Sequence, residues 1–105
     1  MALVFVDGRN VQRSQWPNLS DEELLEQAQA WADRHAHELV VVFDGQAPAG
    51  AIGSGGESAD DWLIREIPKH PGSWLVTSDR ALRDAAGTNT ERIIGGGGFL
   101  RELEK

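Results

Sequence analysis

The sequence contains no cysteine, so neither a disulfide nor a thiolate metal site can form. It has no apolar run long enough to cross a bilayer. Met1-Ala-Leu-Val-Phe-Val6 is far too short, and it lacks the basic flank and the length of a secretory leader. No Gly-x-Ser-x-Gly elbow is present to support acyl transfer. Neither Gly53-Ser-Gly-Gly56 nor Gly95–Gly98 is followed by Gly-Lys-[Ser/Thr], and neither fits the dinucleotide fingerprint, so loop flexibility accounts for both. No tandem repeat is visible. An excess of positive charge is also missing. Ten Lys and Arg face 17 Asp and Glu, for a net charge of −7, which at first sight argues against a polyanionic partner. The acids are unevenly placed, however: Asp21, Glu22, Glu23, Glu26, Asp33 and Glu38 stand against Arg34 alone, and outside that segment the charges nearly balance. At 105 residues the chain is long enough to bury one core, and a single soluble, cytoplasmic domain spanning residues 1–105 is expected.

What is present begins with a strand. Leu3-Val-Phe-Val6 is a continuous apolar run of the kind buried on both faces of a parallel sheet, and Asp7-Gly8 follows at its carboxyl end. The same grammar returns in Leu39-Val-Val-Val-Phe43 before Asp44-Gly45, and in Trp74-Leu-Val-Thr-Ser78 before Asp79. Arg92-Ile-Ile94 is a last short strand. Gly8–Asn18 reads as a loop. Ser20 opens a helix with Glu23 placed for a capping box and Leu19 and Leu24 placed for a hydrophobic staple. Its apolar stripe is Leu24, Leu25, Ala28, Trp31, Ala32 and His35. Gln46–Gly56 is a flexible loop. Ser58 caps a second helix, with Asp61 as its reciprocal partner, and Pro68 and Pro71 end it. Ser78 caps a third, Asp79–Ala86, with Gly87 in the left-handed closing position. Phe99–Lys105 makes a final short helix.

Alternating strands and helices imply a three-layer α/β/α sandwich around a four-stranded, mainly parallel sheet. The order 2-1-3-4 places a topological switch point between the first and third strands, flanked by Asp7 and Asp79, and ligands of such sheets bind at that point. Asp60, at the start of the second helix, can lean over the same crevice. Each acid has an ordinary explanation too. Asp7 suits an Asp-Gly turn, Asp79 suits the first turn of a helix, and Asp61 is accounted for by capping. Asp44 stands equally as a turn residue or an outer ligand, and Glu57 as an outer ligand or a solvated loop residue.

Converging carboxylates repel one another unless a hard cation joins them, and Mg²⁺ or Mn²⁺ prefers oxygen ligands while leaving room for a phosphate. Such ions activate water and clamp a phosphodiester. Asn10 can hydrogen-bond a carboxylate. Arg9, Arg13, Arg80 and Arg83 follow the same strand ends and suit either a phosphate backbone or plain solubility. Trp16 can stack a base, although partial burial is the commoner fate of such a residue. His35, His37 and His70 have no ligand spacing.

Val4-Phe-Val-Asp-Gly-Arg-Asn10, Val41-Val-Phe-Asp44, Gly56-Glu-Ser-Ala-Asp60 and Val76-Thr-Ser-Asp79 resemble, in order, the successive motifs of YacP-like proteins in the NYN branch of PIN-like nucleases. The resemblance implies a PIN-like Rossmannoid fold and a metal-dependent endoribonuclease acting on RNA or ribosome-associated RNA. It implies Asp7, Asp44, Asp60 and Asp79 as metal ligands, with Asp7, Asp60 and Asp79 catalytic, Glu57 as the acidic partner of Asp60, and Asn10 in support. The Gln46–Gly56 stretch is shorter than in the family, which implies loss of an RNA-gripping element and of one strand. Arg9 stands where an aromatic residue is common. A PIN-like module that binds RNA or protein without cutting, and a toxin-type PIN nuclease held by an antitoxin, fit the same motifs.

Overall fold

Along the first strand the side chains alternate between two cores. Val4 and Val6 enter one hydrophobic cluster while Phe5 enters another, as a strand covered on both faces requires. The computed structural model describes residues 1–104. Its elements are β1 (Leu3–Asp7), α1 (Gly8–Gln12), α2 (Asp21–Arg34), β2 (Glu38–Phe43), β3 (Ile52–Gly53), α3 (Ala59–Glu66), β4 (Ser73–Val76), α4 (Arg80–Ala86), β5 (Thr90–Ile94) and α5 (Gly96–Leu103). The sheet is parallel throughout, in the order β3-β2-β1-β4-β5. β1 and β4 are therefore neighbours, and the predicted switch point lies between them.

One face of the sheet carries α1, α2 and α5. Val11, Leu24, Ala28, Trp31, Ala32, Phe99 and Leu100 pack there against Val4, Val6, Val41, Phe43, Val76 and Ile94. Trp31 meets Phe99 edge-on at 5.0 Å between ring centroids, a favoured aromatic geometry. The other face carries α3 and α4, through Ala59, Leu63, Leu82 and Ala86 against Phe5, Val42 and Leu75. Leu24, Leu63, Leu75 and Leu82 are almost fully enclosed, and each such burial is worth about 1.5–3 kcal/mol. The capping box forms as expected: Ser20 Oγ accepts from the Glu23 N–H at 3.1 Å, and Glu23 Oε1 accepts from the Ser20 N–H at 3.1 Å. His35 leaves the predicted stripe and is exposed at the end of α2.

Several expectations are corrected. The sheet has five strands rather than four, because Ile52–Gly53 pairs with Val42 and Phe43 at the β2 edge. The short loop thus carries a two-residue edge strand where loss of a strand was expected. Gly8–Gln12 is helical rather than loop, since Val11 and Gln12 are buried and tertiary packing supplies what the sequence gives no cap to announce. Asp79, not Ser78, caps α4: its Oδ1 accepts from the Leu82 N–H at 3.0 Å. Asp61 takes no reciprocal cap role; Ser58 Oγ simply accepts from its N–H. Gly87 has right-handed backbone angles and opens a 3-10 turn. The last helix starts at Gly96, inside the glycine run, and the expected terminus at Lys105 lies outside the described residues. Among the described residues no helix is long and apolar enough to cross a membrane.

The turn from β1 into α1 depends on Gly8. A Cβ there would meet the Phe43 ring at 2.6 Å and the Val42 carbonyl oxygen at 3.0 Å. Gly8→Ala is therefore expected to lower unfolding free energy by about 1–3 kcal/mol, the usual cost of overpacking, in urea denaturation followed by circular dichroism.

Candidate metal and phosphate cleft

Asp7 is the last residue of β1, and it lies beside the carboxyl end of β4 because the two strands pair in register from Val4–Trp74 to Val6–Val76. It is 5 % exposed. Thr77 follows β4 directly and is fully buried. Its Oγ1 accepts from the Asp79 N–H at 3.1 Å, so its own proton points to Asp7 Oδ2 at 2.9 Å. Burial pushes the Asp7 carboxyl up to about 6. The Thr77 hydroxyl opposes that rise, while Asp60, Asp44 and Asp79 add to it.

Those three acids reach the same place from different elements. Asp44 follows β2, and its Oδ1 accepts from the Ala59 N–H at 2.8 Å, which ties the start of α3 to the sheet. Asp60 lies in the first turn of α3 and is half-buried, its pKa raised by desolvation and then by Asp79, Asp44 and Asp61. Asp79 caps α4. Together with Arg9, Asn10, Arg13 and Ser58, the four carboxylates line one cleft of about 180 Å³. Among the described residues none of the four is in an ion pair. No group of three or more His, Asp or Glu among the described residues is close enough to enclose an ion unaided. The expected convergence takes the form of a shared cleft rather than a closed ligand cage.

The remaining predicted residues divide. Asn10 lines the cleft, and its Oδ1 accepts from the Ser78 N–H at 2.7 Å, joining α1 to the end of β4. Arg9 is held at the rim: its guanidinium donates to Asp21 at 2.6 Å and Gln12 at 2.9 Å and lies 5.0 Å from the Phe43 ring centre. The Gln12 amide also donates to Asp21, and together with Arg9 holds that carboxyl below the usual range. Arg13 lines the cleft but has no carboxylate partner among the described residues. Arg80 and Arg83 are exposed on α4 and do not line it. Glu57 is turned away, its carboxylate paired with Arg65 at 2.5 and 2.7 Å. Thr77, Ser58 and Gln12 were not singled out from sequence as site residues. Only Thr77 left a trace, as a hydroxyl interrupting an apolar strand end.

The raised pKa of Asp7 makes its ionised form a burden on the fold. Between about pH 3.8 and 6 the folded chain holds this proton more tightly than the unfolded one. Stability therefore falls as pH rises through that window, by roughly 3 kcal/mol in total. Asp7→Asn mimics the neutral form and keeps an acceptor for Thr77. In metal-free buffer the variant is expected to be more stable than the parent at pH 7 by about 1–3 kcal/mol, with the gain vanishing toward pH 4, in urea titrations across that range.

No family model matches the chain, and no curated protein matches it. Among solved structures it is similar to two crystal structures of Rae1 (YacP) from Bacillus subtilis. The first, of a mutant form, has a TM-score of 0.79 at 21% identity, covering 99% of this chain and 76% of that one. The second has a TM-score of 0.75 at 20% identity, covering 99% and 74%. At these identities the likeness establishes architecture and not activity: the chain has a YacP-like fold.

Proposed function

We propose that this chain is a divalent-metal-dependent endoribonuclease that hydrolyses phosphodiester bonds of RNA, ribosome-associated RNA included. The observation that carries the reading is the nearly buried carboxylate of Asp7, with no ion-pair partner among the described residues, in a cleft with Asp44, Asp60 and Asp79. Burial and the neighbouring carboxylates raise the pKa of Asp7 and of Asp60, and a bound cation relieves that cost. The donor set is all oxygen, which suits Mg²⁺ or Mn²⁺, and an ion that keeps several waters can bridge carboxylates that do not themselves meet. The YacP-like fold and the ordered motifs of the NYN branch support the same reading.

Asp7, Asp60 and Asp79 would hold the ion, with Asp44 at the outer edge. When bound, it polarises a phosphoryl oxygen and lowers the pKa of water. The chain's own groups set the geometry. Thr77 fixes the Asp7 rotamer by donating to Oδ2, and Asn10 holds the Asp79 segment through the Ser78 N–H. Arg9, ion-paired with Asp21 and hydrogen-bonded to Gln12, holds its guanidinium in place at the rim where a phosphate would enter. Glu57 plays no part in this arrangement while it is paired with Arg65. A second reading, a PIN-like module that binds RNA or protein without cutting, is favoured by one observation: among the described residues no three acids close on a single point.

Asp7→Asn is expected to lower manganese-dependent cleavage of single-stranded RNA by about a hundredfold or more, in line with removing a preorganised charge-stabilising group. Mn²⁺ should raise the melting temperature of the parent and not of the variant. Cleavage at the parental rate by Asp7→Asn would refute the assignment, and Mn²⁺ binding without products over many RNAs would favour the second reading. Thr77→Val should weaken Mn²⁺ affinity about 10- to 100-fold while leaving the donor set intact, as measured by calorimetry.

A further inference from the structure

Between α1 and α2 the chain spends a tryptophan on solvent. Trp16 is 88% exposed, whereas Val11 and Leu19 on either side of it pack into or against the core. A single exposed aromatic carries no message by itself, and the interest of this one lies in the segment and cleft beside it. The segment that carries it is anchored. Gln12 is buried, and its amide spans the loop by donating to the Leu19 carbonyl at 3.0 Å and to Asp21 at 2.8 Å; Ser14 Oγ donates to the Asn10 carbonyl at 2.9 Å. The same segment walls a second cleft of about 320 Å³, lined by Arg9, Gln12, Arg13, Asn18, Leu19 and Asp21. Arg9 and Arg13 line both this cleft and the carboxylate cleft, so the two adjoin at these residues. The one acid in the second cleft, Asp21, is paired with Arg9, which leaves Arg13 as its unpaired charge among the described residues.

We propose that the Arg13–Asn18 segment binds single-stranded RNA, with the Trp16 indole stacking on a base and the Arg13 guanidinium meeting the adjoining phosphate, so that the strand runs along the second cleft into the carboxylate cleft. The proposal rests on the reading of the carboxylate cleft as a nuclease site. A tryptophan face accepts any base, and a guanidinium accepts a phosphate of any sequence, so the subsite grips without reading sequence. It also answers the acidity of the chain: backbone phosphates are met at Arg13, and the one α2 acid lining the second cleft, Asp21, is paired with Arg9.

The test is fluorescence anisotropy of an end-labelled, unstructured RNA of roughly 12 nucleotides, within the range one such platform covers, against the parent, Trp16→Ala, Trp16→Phe and Arg13→Ala. Exposure at Trp16 makes folded variants the expectation, checked by circular dichroism. Trp16→Ala should weaken binding at least about fivefold and raise the KM for cleavage without lowering kcat, while Trp16→Phe stays within about threefold of the parent, as stacking requires. Arg13→Ala should reduce the slope of log affinity against log salt by about one. Equal affinity and KM for Trp16→Ala and the parent, in a protein whose cleavage still depends on Asp7, would overturn this subsite alone. A parent that neither binds nor cuts RNA would overturn it together with the nuclease reading. Loss of self-association in Trp16→Ala at unchanged RNA affinity would assign Trp16 to contact between copies and overturn the proposal.

Discussion

A carboxylate taken almost out of water is costly unless a neighbour compensates it, and Asp7 is such a group. Among the described residues it receives one side-chain hydrogen bond, from Thr77, which lies next to it because β1 and β4 are adjacent. That adjacency follows from the sheet order, in which the chain leaves β2, passes through α3, and returns on the far side of β1. The crossing opens the crevice that receives Asp44 and Asp60, and it sets Asp79 one hydrogen bond from Thr77. The same parallel pairing thus makes the acid expensive and supplies a compensating donor.

The two cores divide the work of holding this arrangement. The cluster under α1, α2 and α5 fixes the first strand from one side through Val4 and Val6, and the cluster under α3 and α4 fixes it from the other through Phe5. Three of the four acids in the cleft then have their own tether. Asp44 is bound to the start of α3, Asp79 to the first turn of α4, and Asp7 to the end of β4. Asp60 has no hydrogen bond of this kind among the described residues, and its position is set by the helix alone. Arg9 is held by Asp21, Gln12 and the Phe43 ring, a side chain given little freedom beside a cleft of opposite charge.

Much of this was legible in the residues. The apolar runs gave the four long strands, and carboxylates at their ends gave the cleft, because a strand buried on both faces has a one-letter signature and its exit is where polar residues resume. The box at Ser20 and Glu23 was equally plain. The errors share a cause. α1 is a little over one turn, and Asp7 precedes it without capping it by side chain, since its carboxylate goes to Thr77; no local signal remained. Ile52–Gly53 is too short for any period to show. Glu57 followed its motif in sequence but found Arg65 one helical face away, a pairing across eight positions that no spacing rule would rank above a metal. Trp16 was expected to bury part of its ring and instead stands in water.

Ser54 is small and easily overlooked. Its N–H donates to the Phe43 carbonyl, its hydroxyl accepts from the Gly45 N–H, and that hydroxyl donates to the Glu57 carbonyl. One residue thereby staples both ends of the 46–56 excursion next to the sheet. Between those feet Ala47 and Ala51 pack against the core, and the entropy of closing a longer excursion grows only slowly with its length. Insertions and deletions can accumulate there over evolutionary time while the acids at its two feet keep their separation.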